Sequence, residues 1–188
     1  MSKILPGMLF LMLVTFSLSA LALEHAMEGT VTKVDSAAKT IAVKTADGAE
    51  TVFKVGSNTL MHVAYGTSRM LKRGTADSYL AGKEGTHVVV RYTGEGAEKT
   101  ATAIDDLGKN TLKISEGTVT DVDNAAHTVS VKTEAGSKET YDVARDATID
   151  TKDGVVRGSE YAAKVGEKAT VHYTEEAGHK VAHFIKHL

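Results

Sequence analysis

The chain has 188 residues, with 22 basic and 24 acidic side chains, a net charge of −2 with histidine neutral, no cysteine, no tryptophan and 5% aromatic residues. That balance lacks the basic stripe that phosphate contacts need and offers bases few rings to stack on, so no nucleic-acid partner is expected. It also removes thiolate nucleophiles, disulfides and cysteine metal sites. G-x-S-x-G, H-E-x-x-H, the P-loop and G-x-G-x-x-G are all missing from the sequence, and the expectation is a protein that is not an enzyme and has no cofactor.

In chain order, Ile4 to Leu23 is an apolar run ending in Ala20-Leu21-Ala22, with Glu24-His25 immediately after it. The small-x-small end reads as a signal-peptidase site, so residues 1–22 are expected to be a secretory signal peptide, leaving an exported chain, periplasmic or secreted, with no membrane association after cleavage. Export without cysteine means that stability must come from packing and hydrogen bonds.

The remaining sequence is written twice. EGTVTKVDSAAKTIAVKT at 28–45 and EGTVTDVDNAAHTVSVKT at 116–133 agree at thirteen of eighteen positions. The match continues from 45–55 to 133–143 and, after a gap, from 85–104 to 166–185. A tandem duplication is expected, with a first repeat at 23–107, a linker at 108–114 and a second repeat at 115–188.

Each half is patterned as strands. Ile41 and Val43, Phe53 and Val55, and Val88, Val90 and Tyr92 alternate with polar residues between Gly, Asp and Asn boundaries. Asp47-Gly48 marks a hairpin turn. Gly29-Val31-Val34 and Gly117-Val119-Val122 break the alternation in the same way, predicting a bulge in each first strand. One short helical turn is expected between strands 3 and 4, at 77–81 and 159–163. The fold class is all-β: two tandem five-stranded OB-like barrels, with SH3-like strand order as the rival. Tyr79 and Tyr161 are placed as plugs of the barrel ends, Glu28 and Glu116 as charges on strand edges, and Asp35 and Asp123 as turn-opening residues.

GTVTKVDSAAKTIAVKTADG, then GKEGTHVVVRYT, then KTATAI resembles the small OB-like domains of unknown function that recur in exported bacterial proteins. The resemblance covers nearly all of both halves and implies a five-stranded barrel and an envelope location. It implies no defined activity.

Histidine is the residue whose placement stands out. Four of the eight lie in HYTEEAGHKVAHFIKHL, as His172, His179, His183 and His187. On a helix, i and i+4 imidazoles approach to about 6 Å, but the repeat makes this stretch a strand, where they are about 13 Å apart. A four-residue loop at 175–178 would instead set His172 opposite Val181, with His179 and His183 as diagonal neighbours at about 7–8 Å, able to close on Zn²⁺, Cu²⁺ or Ni²⁺. The competing reading is solvated strand residues, since the first half has Arg91, Glu98 and Thr102 there. A second candidate set, Met61, His62 and Met70, has soft ligands that suit Cu(I). It is loosely similar to periplasmic copper-binding OB barrels, without the tryptophan that caps such sites.

Two functions fit these residues. One is a non-enzymatic tandem barrel that binds an envelope protein, peptide or saccharide or serves a structural role. The other is a periplasmic transition-metal binder using the C-terminal histidines.

Overall fold

A computed structural model describes residues 23–65, 68–72, 75–109, 112–162 and 164–188, and only the backbone path at 64–65 and 68–72. The expected signal peptide, residues 1–22, lies outside the described residues.

The first half contributes β1 (His25–Asp35), β2 (Thr40–Lys44), β3 (Glu50–Lys54), β4 (Leu60–Tyr65), β5 (Ser68–Lys72), a short helix α1 (Ala76–Leu80), β6 (His87–Thr93) and β7 (Thr100–Gly108). The second contributes β8 (Lys113–Asp123), β9 (Thr128–Thr133), β10 (Lys138–Thr151), β11 (Gly154–Arg157), β12 (Lys168–Glu176) and β13 (His179–His187). The chain is thus all-β, as the alternation of apolar and polar residues requires. On β3, for example, Phe53 is fully buried while its neighbour Val52 is half exposed.

Strand order decides between the two barrel types. In the first sheet β3-β2-β1-β6-β7 is a ring, closed where β3 meets β7 in parallel at Lys54 and Thr100. In the second, β9-β8-β12-β13-β10 closes where β10 meets β9. Both are OB-like. The stretch between strands 3 and 4, expected to be irregular around one helical turn, is largely strand. β4 runs parallel to β7 and turns back as β5, and in the second barrel β10 does the work of β3 and β4 in one strand before turning back as β11. The first barrel keeps its helix at 76–80, whereas the described residues of the second hold a 3-10 turn at Gly158–Glu160 in place of the turn expected at 159–163.

The predicted bulges are present, with register shifts between Val31 and Lys33 and between Val119 and Asp121. The glycine ahead of each has a steric reason. A Cβ on Gly29 would sit 2.6 Å from the Lys44 carbonyl oxygen, and on Gly117 2.2 Å from that of Lys132. Asp35 and Asp123 open their turns as expected, each accepting from two turn amides just beyond it.

Each barrel has its own core: Val31, Ile41, Val43, Phe53, Val88 and Ile104 in the first; Val119, Val131, Tyr141, Ile149, Val171 and Ile185 in the second. Burial of such side chains contributes about 1.5–3 kcal/mol each. A third cluster joins the barrels, in which Ala26, Val89 and Leu107 of the first meet Phe184 of the second, with Leu112 and Val155 against them.

Candidate functional site

The histidines predicted to gather do not. The β12–β13 hairpin turns through two residues, Ala177 and Gly178, both at positive φ, so Glu176 faces His179 and Thr174 faces Val181. A bulge between His172 and Tyr173 then sets His172 opposite Phe184. The expected four-residue loop would have needed a different register, and a single slip reassigns every side chain to the other face. His179 instead reaches Asp142 at 3.0 Å, and His183 Nε2 lies 2.8 Å from the Thr174 hydroxyl. His172 lies at the seam between barrels, where its Nδ1 is 3.0 Å from Glu28.

Met61 and His62 of the second candidate set part as well. Consecutive strand residues face opposite ways. Met61 is buried in the first core, while His62 leaves it to contact Asp105. Met70 lies opposite Val63 on the neighbouring strand, and its side chain is outside the described residues. No group of three His, Asp or Glu among the described residues could hold a metal ion.

What the fold does assemble is a charged seam. Glu28 is 6% exposed, not an edge charge, and its two oxygens are shared between barrels: Oε1 accepts from His87 Nδ1 at 3.0 Å, and Oε2 faces His172. Burial pushes its carboxyl up, but contacts with His172 and then His87 outweigh this and hold it below the ordinary value. Asp105, also buried, contacts His62 of its own barrel and accepts from the Thr148 hydroxyl of the other at 2.9 Å. Asp150 of the second barrel faces His25 of the first at 3.6 Å. Burial raises the Asp150 carboxyl, incompletely offset by the Ala26 backbone N–H, Lys186 and His25. The His172 ring packs against Phe184, with centroids 5.2 Å apart, so the apolar and charged parts of the seam are continuous.

Sequence reasoning singled out His172 and Glu28 but gave each a solvent-facing role, because a strand's outer face is ordinarily wet. His25, His87 and the aspartates were missed. The signal lay in the same repeat, where His87 answers Lys168 and Asp105 answers Lys186: one half is altered toward histidine and carboxylate on positions that face outward from a lone barrel. Among the described residues, no helix is long and apolar enough to cross a membrane.

No family model and no curated protein matches the chain. Among solved structures, silver-bound CusF is similar over 42% of this chain and 100% of its own, with 10% identity and a TM-score of 0.34. Apo-CusF from Escherichia coli is similar over 42% and 88%, with 9% identity and a TM-score of 0.33. A copper(II) form of a tryptophan-to-alanine variant of CusF from Escherichia coli is similar over 41% of this chain and 91% of its own, with 10% identity and a TM-score of 0.32.

Proposed function

We propose that the chain is a non-enzymatic, exported module of the cell envelope, a tandem duplication whose two barrels act as one body toward an envelope protein, peptide or saccharide. The observation that carries this reading is the seam. Two modules strung on a flexible linker have no reason to take carboxylates out of water, since burying a charge costs several kcal/mol unless a partner meets it. Here Glu28, Asp105 and Asp150 are each met by groups from both barrels or from the opposite one. Docking therefore fixes spacing and orientation. Two faces held at a fixed separation raise the effective concentration of the second contact once the first has formed.

The test is chemical cross-linking of residues 23–188 to envelope extracts, with the Glu28→Ala variant alongside. A partner captured by the native chain and lost when the seam is opened supports the reading; capture that is indifferent to the seam refutes one-body action. The alternative, a transition-metal binder, requires His172, His179 and His183 to converge, which would mean re-registering β13 against β12. Calorimetric titration with Zn²⁺, Cu²⁺ and Ni²⁺ decides it: saturable binding abolished in His179→Ala/His183→Ala would replace the first reading with the second.

A further inference from the structure

The two barrels end differently at the place where each was expected to carry a plugging tyrosine. In the first, Tyr79 donates to Asp106 at 2.8 Å, Lys83 lies 3.4 Å over its ring, and α1 sends Ala76 and Leu80 into the core. In the second, the described residues hold no such helix. His187 stands where Asp106 stands in the first repeat, and Tyr161 Oη lies 3.0 Å from its Nε2. On the other side of the ring, His187 Nδ1 is 3.1 Å from Glu167 Oε2. Carboxylate, imidazole and phenol thus form a line of contacts, the first of them electrostatic because His187 Nδ1 has no hydrogen-bond partner among the described residues, with the Tyr161 residue 8% exposed and the His187 side chain 7% exposed.

This line forms one wall of a cavity of about 320 Å³, a volume at the lower end of the small-molecule range. Val156, Ala162 and Leu188 supply apolar surface. The charged lining comprises Lys152, Asp153, Glu160, Lys164 and Glu167, and Lys152 is already joined to Asp153 at 2.7 Å. Two carboxylates remain against one lysine, so the cavity carries net negative charge.

The hydrogen-bond roles are set by the neighbours. A carboxylate beside Nδ1 favours the proton there, leaving Nε2 to accept from the Tyr161 hydroxyl. Tyr161 spends its only proton on His187, and its oxygen lone pairs stay available to accept. Burial lowers the His187 imidazole, with Glu167 and Asp150 opposing, which keeps the ring neutral as this arrangement requires.

We propose that the cavity at the end of the second barrel is a binding site for a small primary amine, whose ammonium donates to the Tyr161 oxygen and the flanking carboxylates while its apolar body lies along Val156, Ala162 and Leu188. The site is separate from the seam, so its failure would leave the one-body reading untouched.

The experiment is a calorimetric and NMR titration of residues 23–188 with phenethylamine, with 2-phenylethanol and 3-phenylpropionate as neutral and anionic probes of similar shape. Phenethylamine is expected to bind saturably and about tenfold or more tighter than either, with shifts centred on Lys152, Ala162 and Lys164. Tyr161→Phe keeps the ring and should weaken the amine about tenfold. Should that variant melt early, Glu160→Gln, on an exposed residue at the rim, carries the same test, with weakened amine binding and unchanged alcohol binding expected. Absence of saturable amine binding at millimolar concentration, equal or tighter binding of the carboxylate, or amine affinity unchanged in both variants would overturn the assignment.

Discussion

Glu28 and Glu116 open the same Glu-Gly-Thr-Val stretch in the two barrels, and the fold uses them in opposite ways. Glu116 is exposed, whereas Glu28 is buried between His87 and His172. Local sequence placed both on a first strand; the docking of one barrel on the other decided which became structural. The two stretches share a scaffold while their outward positions differ.

The largest expected effect breaks that contrast directly. Glu28→Ala leaves two imidazoles at the seam without their carboxylate and is expected to cost about 3–5 kcal/mol, against less than about 0.5 kcal/mol for Glu116→Ala. Urea unfolding of the two variants measures both, and equal losses would mean that the seam does not hold the barrels. Next come the glycines, where the barrels should agree. Gly29→Ala and Gly117→Ala each push a Cβ into a carbonyl oxygen of the next strand, for an expected loss of about 1–3 kcal/mol apiece. A loss in only one would show that one first strand can relax where the other cannot.

Smaller effects sharpen the contrast between barrel ends. Tyr79→Phe removes a hydrogen bond to a carboxylate and Tyr161→Phe one to an imidazole, each worth about 0.5–3 kcal/mol, with the charged acceptor expected at the upper end. Thermal melts of the pair give the difference. The last prediction concerns pH. The His187 imidazole is held below its ordinary 6.5, so its contribution is present above that value and lost as pH falls through the lowered one. Glu28 is held below 4.5, so its contribution persists to lower pH and fails only as pH falls through its own lowered value. Asp150 runs the other way: its carboxyl is raised above 3.8, so it favours the docked state at low pH and this is lost as pH rises through the raised value. Acidification from neutrality should therefore loosen the end of β13 before the seam. Hydrogen exchange monitored on Tyr161 and His187, against Glu28 and Val89, tests that order, and simultaneous loosening would contradict it.

Much of this was legible beforehand because it is local. The bulges after Gly29 and Gly117, the turn at Asp47-Gly48 and the alternation around Ile41 and Val43 each depend on a few adjacent residues. Strand order and hairpin register were not legible. The two-residue turn at Ala177-Gly178 required a non-glycine residue at positive φ, which composition does not announce, and together with the bulge between His172 and Tyr173 it dispersed His172, His179 and His183. The seam was hidden for a different reason: a glutamate or histidine on an outer strand face carries no mark that another barrel will cover it. Tyr161 and His187 were both noticed, but as unrelated residues. Setting the repeats side by side pairs Tyr79 with Tyr161 and Asp106 with His187, which was enough to see that the tyrosine's partner had changed from acid to imidazole.

One strand of the second barrel has a mechanical consequence. In the first, the chain leaves β3 at Lys54 and starts β4 at Leu60, and β7 closes the ring at Thr100 and reaches the neighbouring barrel through Asp105. β10 is one strand of 14 residues: Lys138 to Asp142 pair with β9 to close the ring, while Thr148 and Asp150 at its far end touch the first barrel. It works as a lever with one arm in each task. Pulling the barrels apart draws on the same strand that keeps the second one shut, so separation and opening of that barrel should happen as one cooperative event.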